Sequence, residues 1–231
     1  MSGVPDHGGA APLLARCLRA DPARPLVTYY DLSAGGRVEL SVTTFDNWVS
    51  KTCGLLADEL GVETGDRVSV VMPAHWLGLV WAMAVWTVGG HLALEPVDDA
   101  VVSVAAAGEP TPESGEVVVV STLPLGGPAG AAAAPGALDY GREVLGFPDA
   151  FGPAAACDDP LLAELMRGVE PTPAARRLVV ARRLDARTLA RGLLSALAAD
   201  GSTVLVRAEQ GPIDEGRLRE IAGEERADLT G

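Results

Sequence analysis

The sequence contains a single lysine, Lys51, although Lys and Arg together number 18 in 231 residues. Asp and Glu number 31, so the formal net charge is −13. A surface this acidic repels phosphate backbones and anionic lipid headgroups, which argues against nucleic acids and membrane surfaces as partners. Any reaction that needs a lysine cation from this sequence would therefore have to use Lys51.

Cysteine and histidine are scarce as well. Cys17, Cys53 and Cys157 form no CxxC pair and no disulfide framework, so we interpret them as free thiols in a reducing compartment. The three histidines have no acidic or thiol partner at metal-ligand spacing, and we expect no metal site. His75 and His91 lie in an apolar run, where we interpret them as hydrogen-bonded core residues.

One long segment has no charge at all: residues 68–94 contain no Asp, Glu, Lys or Arg. A transmembrane helix needs about 20 such residues. Pro73 and Gly89–Gly90 interrupt the run, however, and the uninterrupted piece, residues 74–88, would be about 22 Å long as a helix. We therefore favour a buried helix, with a membrane span over 68–94 as the alternative. The N-terminus lacks the features of a signal peptide, and we expect a cytoplasmic protein.

Hydrophobic periodicity predicts an α/β fold, in which helices cover a mostly parallel sheet that follows an N-terminal β-hairpin. Residues 1–24 are expected to form an arm with a partial helix, and residues 25–231 a single domain. The hairpin is predicted over residues 26–41. Further strands are predicted over residues 67–72, 91–94, 116–121, 177–181 and 202–207, and helices over residues 43–60, 74–88, 158–167, 185–199 and 214–226. Residues 123–137, rich in Gly, Ala and Pro, predict a flexible loop.

Six arginines lie between residues 176 and 191. Arg183, Arg187 and Arg191 recur every four residues, opposite three leucines with the same period. This pattern indicates an amphipathic helix with a solvated basic face. The alternative is a surface that binds phosphate or a partner.

A series of short motifs lies between residues 25 and 98. The long helix is followed by the turn Gly61-Val62-x-x-Gly65-Asp66-Arg67-Val68, then by Val71-x-Pro73, and after the apolar helix by Gly89-Gly90-x-Leu92-Ala93-Leu94-x-Pro96. These motifs resemble the start of the adenylate-forming (AMP-binding) superfamily, which includes acyl-CoA synthetases, peptide-synthetase adenylation domains and luciferase-like enzymes. Residues 177–231 resemble a later helix–strand–helix run of the same family. The resemblance implies a shortened, degenerate form of the family's N-terminal α/β domain.

The resemblance also implies an ATP loop of the type T-S-G-T-T-G-x-P-K-G after a strand, whose N–H groups and hydroxyls hold the phosphates. The segment after the predicted strand 116–121 agrees in type at five positions, which are the candidate cofactor-binding residues: Ser121, Thr122, Gly126, Pro128 and Gly130. Leu-Pro-Leu replaces the central Gly-Thr-Thr, and alanine replaces the lysine, so donors and a cation are lost. A chance agreement in a segment rich in Gly, Pro and Ala is the alternative.

The other motifs of the family, including its adenine and ribose motifs and its C-terminal domain with a catalytic lysine, are absent from the sequence. No motif of another common enzyme class replaces them. The sequence therefore favours a non-catalytic protein with a regulatory, ligand-binding or scaffolding role, and we assign no catalytic residue. The alternative is a minimal or split adenylate-forming ligase that activates carboxylic acids with ATP. No cofactor is expected, although the N–H groups of Gly126 and Gly130 are compatible with weak ATP or AMP binding.

The resemblance to a shortened sheet also bears on partners. The next strand of the family would begin just after Asp228, and a sheet edge with unpaired backbone groups must be paired or covered. We therefore expect a homodimer or a protein partner at an exposed sheet edge. The high Arg-to-Lys ratio and the alanine content indicate a bacterial source with a GC-rich genome.

Overall fold

Apolar strands alternate with helices along the chain and assemble into two sheets of five strands each. The computed structural model describes residues 9–33, 35–110, 113–132, 135–169, 176–208 and 214–229. Residues 1–8 of the predicted arm and residues 133–134 of the predicted loop lie outside the described residues. The α/β class predicted from the sequence is confirmed.

The described strands are β1 (Pro25–Asp31), β2 (Gly36–Ser41), β3 (Arg67–Val71), β4 (His91–Ala93), β5 (Val102–Ala106), β6 (Glu116–Val120), β7 (Leu138–Asp139), β8 (Arg176–Ala181), β9 (Ser202–Arg207) and β10 (Asp228–Leu229). The described α-helices are α1 (Ala10–Ala20), α2 (Val42–Gly54), α3 (Trp76–Thr87), α4 (Tyr140–Glu143), α5 (Pro160–Arg167), α6 (Ala186–Leu189), α7 (Ser195–Ala198) and α8 (Glu215–Glu225). A π-helical turn, Leu55–Glu59, extends α2, and another, Ala190–Leu194, joins α6 to α7.

The first sheet has the strand order β10-β8-β9-β1-β2 and combines distant parts of the chain. β1 pairs with β2 as an antiparallel hairpin, whereas its other neighbour, β9, is parallel. Tyr29 in the middle of β1 lies opposite Val38 on one side and Leu205 on the other. The hairpin predicted over 26–41 is therefore present, at one edge of this sheet.

The second sheet has the order β4-β3-β5-β6-β7, and all of its pairs are parallel. The chain adds β4 on one side of β3 and then places β5 on the other side. The direction of strand addition thus reverses between β3 and β5. In open parallel sheets, the carboxyl ends of the strands at such a reversal are the usual place for a ligand site.

The helices between the sheets form most of the core. α2 contacts β1 and β2, α3 contacts β3 and β4, and the two helices pack against each other. α3 is apolar on every side, and Trp76, Trp81 and Trp86 on it are at most 1% exposed. α8 covers the opposite face of the first sheet, where Ile221 packs against strand residues. Within the described chain, no helix is both long and apolar enough to cross a membrane.

A buried carboxylate binds the edge strand β4 of the second sheet. Asp159, 3% exposed, accepts hydrogen bonds at Oδ2 from the indole N–H of Trp86 (2.8 Å) and the backbone N–H of Leu92 in β4 (3.0 Å). Its Oδ1 accepts the N–H of Leu161 (2.9 Å) in the first turn of α5. One side chain therefore joins α3, β4 and α5, and it satisfies an outward N–H group of the edge strand.

Candidate functional site

The predicted ATP loop leaves the carboxyl end of β6 and crosses toward β7. Ser121 is buried at the end of β6, Thr122 is half-buried and Pro128 is exposed. Gly126 and Gly130 have φ angles of 72° and 60°, in the left-handed region that glycine adopts without strain. The five candidate residues therefore lie on one connection at the carboxyl edge of the second sheet.

The backbone donors at the end of this loop are bound to a side chain of the protein itself. The N–H of Ala129 donates to Oδ1 of Asp139 (2.9 Å), and the N–H of Gly130 donates to Oδ2 (3.0 Å). Asp139 lies in β7, and its carboxylate also forms an ion pair with Arg142 on α4 (3.3 Å). A carboxylate thus receives the two N–H groups in the manner in which an anion binds to a backbone nest.

The carbonyl groups of the loop are also engaged. The carbonyl of Leu123 is 3.2 Å from Nε2 of His75, and the carbonyl of Pro124 accepts the indole N–H of Trp76 (2.8 Å). Nδ1 of His75 accepts the backbone N–H of Leu77 at the start of α3 (3.1 Å), so Nε2 carries the ring proton and donates to Leu123. Burial lowers the pKa of His75 to about 4, which keeps this neutral tautomer.

Two glycines outside the loop allow it to pack closely. A Cβ atom at Gly141 would collide with the backbone of Gly127, and one at Gly36 would collide with the ring of Pro124. The loop therefore lies directly against α4 on one side and the β1–β2 hairpin on the other. Its described part, predicted to be a flexible loop, is held by these contacts and by the hydrogen bonds from His75 and Trp76.

The only lysine lies elsewhere. Lys51 on α2 donates to the carbonyl of Phe147 and forms an ion pair with Asp149 (2.9 Å). Both partners belong to the segment after α4, so the ammonium group fastens that segment to α2. Lys51 contributes no positive charge at the loop.

A pocket of about 880 Å³ opens on the face of the second sheet that points away from α3. Side chains alternate along β3 and β5, and Val70 and Val104 face the core. The next residues, Val71 and Ala105, face the opposite way and line the pocket. The apolar floor thus belongs to the two strands between which the strand order reverses.

Charged residues line the rim of the same pocket. Arg182 and Arg183, from the connection between β8 and α6, lie on one side, and Glu109 and Glu113, from the connection between β5 and β6, contribute carboxylates. The Arg182–Leu184 segment is fixed against the end of β3, because the N–H of Leu184 donates to the carbonyl of Met72 (3.0 Å). The pocket therefore has an apolar floor and a rim with charges of both signs.

The remaining candidates have structural roles. Cys17, Cys53 and Cys157 are free thiols, as expected. The described residues contain no group of three or more His, Cys, Asp or Glu side chains that could hold a metal ion. The interpretation of His75 as a hydrogen-bonded core residue is confirmed. His91 is also hydrogen-bonded, to Asp158 (2.8 Å), but its predicted place in the core is wrong, because its side chain is 26% exposed at the sheet edge.

No protein-family model matches the chain. A protein of Mycobacterium tuberculosis described as a "TIGR03089 family protein" is 36% identical over 220 residues, which cover 84% of this chain and 87% of the relative. This chain belongs to the TIGR03089 family.

The fold of this TIGR03089 family member is that of acyl-CoA synthetases. An acyl-CoA synthetase of Brucella canis superposes with a TM-score of 0.72 at 14% identity, covering 99% of this chain and 48% of its own. The acetoacetyl-CoA synthetase of Streptomyces lividans superposes with a TM-score of 0.73 at 17% identity, covering 95% of this chain and 41% of its own. The chain spans less than half the length of either synthetase. The predicted resemblance to a shortened adenylate-forming fold is confirmed.

In this TIGR03089 family chain, the sequence did not indicate that Asp139 binds the N–H groups of the loop. Asp139 lies in a stretch without periodicity, and nothing in its neighbours indicates that it folds back onto the N–H groups of Ala129 and Gly130. The position of the pocket could have been inferred from the sequence. The predicted strand 67–72 ends at Pro73, and the carboxyl ends of parallel strands are typical ligand sites.

Proposed function

We propose that this protein is a non-catalytic relative of adenylate-forming enzymes that binds a small ligand and acts in regulation or as a scaffold. One observation carries the proposal: the carboxylate of Asp139 accepts the N–H groups of Ala129 and Gly130. The family resemblance assigns such loop donors to the phosphates of ATP. In this chain they are satisfied internally by a group of the same charge sign as phosphate.

Electrostatics supports the same conclusion. A phosphate at this loop would lie beside Asp139, and two like charges about 4 Å apart repel each other by roughly 4 kcal/mol at an effective dielectric constant of 20. Arg142, the cation paired with Asp139, is 64% exposed, and Lys51 is paired with Asp149. Acid adenylation needs positioned phosphates and positive charge on the group that develops charge. The loop offers neither of these.

The pocket on the second sheet supports the ligand-binding part of the proposal. Its volume of about 880 Å³ lies in the range typical of small-molecule sites, about 300–1,000 Å³. It also lies beside the carboxyl ends of β3 and β5, where strand addition reverses. A molecule with an apolar body and a polar end would match the floor formed by Val71 and Ala105 and the charged rim.

Pyrophosphate exchange tests the catalytic part. We expect no exchange above background with a panel of fatty, aromatic and amino acids, because each missing electrostatic contact typically costs about 10²–10³ in rate. Robust exchange that is abolished by Ser121→Ala and by Gly126→Ala would overturn the proposal. Calorimetry with ATP and AMP provides a second measurement. If nucleotide binds at the loop at all, Asp139→Asn should bind it more tightly than the wild-type protein does.

A minimal or split adenylate-forming ligase is the second candidate, supported by the fold shared with the two synthetases. Such a ligase would need a second chain to supply positive charge near Asp139. Exchange that appears only after addition of that second chain would favour this candidate, whereas exchange by this chain alone would indicate a minimal enzyme.

Valine methyl signals test the pocket. Val71 lines the pocket, whereas Val80 is fully buried in α3. In a protein labelled at the valine methyl groups, a fragment that binds the pocket should shift the signals of Val71 and leave those of Val80 unchanged. Equal shifts at both positions, or none with a broad fragment set, would contradict the proposed ligand site.

A further inference from the structure

Four strands form the edges of the two described sheets, and three of them are short or covered. β10 and β7 are each two residues long, and β4 has three residues, of which Leu92 donates its outward N–H to Asp159. Short strands and covered N–H groups are the usual protection against pairing with another chain. β2 differs, because this edge strand has six residues.

The outward backbone groups of β2 can be identified from the hydrogen-bond alternation. The N–H of Leu32 donates to Arg207 of β9, whereas the carbonyl of Asp31 accepts from Gly35 on the hairpin side. Every second residue of β1 therefore faces β2, and Asp31 and Tyr29 are opposite Gly36 and Val38. It follows that the N–H and C=O groups of Arg37 and Glu39 point away from the sheet.

β2 also lacks several of the sequence features that discourage edge pairing, although it carries the two charged residues Arg37 and Glu39. It contains no proline and no lysine, and the one irregularity in its pairing lies near its last residue, between Pro25 and Val27 of the partner strand. No described backbone group bonds to the outward N–H or C=O groups of Arg37 and Glu39. A strand of this length can accept a further strand without any rearrangement of the sheet.

We propose that β2 pairs antiparallel with β2 of a second copy of this chain, with the two-fold axis at Val38. This register places Arg37 of each copy opposite Glu39 of the other. Because both residues present their backbone groups outward, each such pair exchanges two N–H···O=C hydrogen bonds. The interface is isologous, as in most closed homodimers.

Charge selects this register from its neighbours. An axis at Arg37 or at Glu39 would place that residue opposite its own copy, and like charges directly across a sheet are destabilising. With the axis at Val38, opposite charges meet twice on one face, next to the ion pair that Arg37 and Glu39 form within each copy (2.7 Å). On the other face, Val38 lies opposite Val38 and Leu40 opposite Gly36, so that buried apolar residues continue across the interface.

An exposed apolar patch lies beside the same edge. Pro124 packs against Gly36, and Leu123 and Leu125, which flank it, are 61% and 77% exposed. In the proposed dimer, Gly36 of one copy lies opposite Leu40 of the other. The second copy therefore approaches the end of β2 at which these leucines are exposed.

Sedimentation of the wild-type chain and of charge variants tests the proposal. We expect a monomer–dimer equilibrium at about 1–100 µM. Glu39→Arg and Arg37→Glu should each raise the dimer Kd at least about tenfold, because each variant places like charges opposite each other twice. An equimolar mixture of the two variants should form a heterodimer, since positions 37 and 39 are then both basic in one copy and both acidic in the other.

A matched control and a residue-level readout complete the test. Glu59→Arg makes the same charge change at an exposed position away from β2 and should leave the dimer Kd unchanged. Amide exchange at Arg37 and Glu39 of the wild-type protein should slow as the protein concentration rises. Circular dichroism identifies any variant that fails to fold, and for such a variant the exchange measurement on the wild type decides. A wild-type protein that is monomeric throughout, a dimer unaffected by Glu39→Arg, or unprotected amides in β2 would overturn the proposal.

Discussion

Two connections at the carboxyl edge of the second sheet have opposite characters. The loop after β6 is closed, because Asp139, His75 and Trp76 occupy its donors and acceptors. The region beyond β3 and β5 is open, with a pocket of about 880 Å³. In a fold shared with acyl-CoA synthetases, the loop that the family resemblance assigns to ATP is therefore filled by the protein's own groups. The open pocket lies at neighbouring strands of the same sheet.

The largest expected effect comes from the core beneath the closed loop. Trp81 is fully buried, and its ring centroid lies 5.1 Å from that of Tyr140, the residue after Asp139. Trp81→Ala should lower the free energy of unfolding by about 3–5 kcal/mol, measured by denaturant titration. Trp81→Phe is the control and should cost less, because it keeps a ring and removes an indole N–H that has no partner among the described residues.

Acid should weaken the closed loop next. The pKa of His75 is about 4 in the folded protein, compared with about 6.5 in an unfolded chain, so the unfolded state binds more protons between these values. The contribution of His75, about 3 kcal/mol, is present in full above pH 6.5 and is lost as the pH falls toward 4. Urea titrations at pH 7 and pH 4.5 measure it. His75→Gln should remove this part of the pH dependence. If the free energy of unfolding of the variant varies with pH as that of the wild type does, the effect does not come from His75.

A smaller loss is expected at Asp139 itself. Asp139→Asn replaces one acceptor oxygen by a donor that faces a backbone N–H, which should cost about 1–3 kcal/mol in the free energy of unfolding. Limited proteolysis should become faster within the loop between β6 and β7. The matched control is Asp149→Asn, at a 61% exposed carboxylate, which should change stability by less than about 1 kcal/mol. Equal effects of the two variants would show that the loop does not depend on Asp139.

The open pocket should be the least sensitive to mutation. Arg183 is exposed on its rim, and Arg183→Ala should change the free energy of unfolding by no more than about 0.5 kcal/mol. The same variant should alter the response of the Val71 methyl signals to any polar fragment that binds. A large loss of stability would indicate that the rim is part of the folded core.

Much of the fold could be predicted, because its main elements have strong periodicity. The hairpin, the buried α3 and the strands after residues 66 and 115 follow directly from apolar patterns and glycine positions. β5 has the sequence VSVAA, whose serine and alanines give a weak signal, and β7 has two residues. The division into two sheets was not predicted, because pairing between β1 and β9 joins residues more than 170 positions apart.

The candidate site was less predictable for a different reason. The resemblance predicts that loop hydroxyls and the lysine expected from the family are missing at residues 123–125 and 129. It gave no sign that the carboxylate of Asp139 and the rings of His75 and Trp76 occupy the loop. Hydrogen bonds between side chains and a distant backbone depend on three-dimensional packing and leave no period in the sequence.

The way in which the first sheet joins the two ends of the chain has a consequence for synthesis on the ribosome. β3 to β7 come from one continuous segment, residues 67–139, and can pair soon after they emerge. The hairpin emerges earlier but has to wait for β9, which ends at Arg207, and at about 5–20 residues per second this takes roughly 8–30 s. During that interval both sides of the hairpin expose unpaired backbone groups. We therefore expect nascent chains that end between β2 and β9 to be the forms most dependent on chaperones.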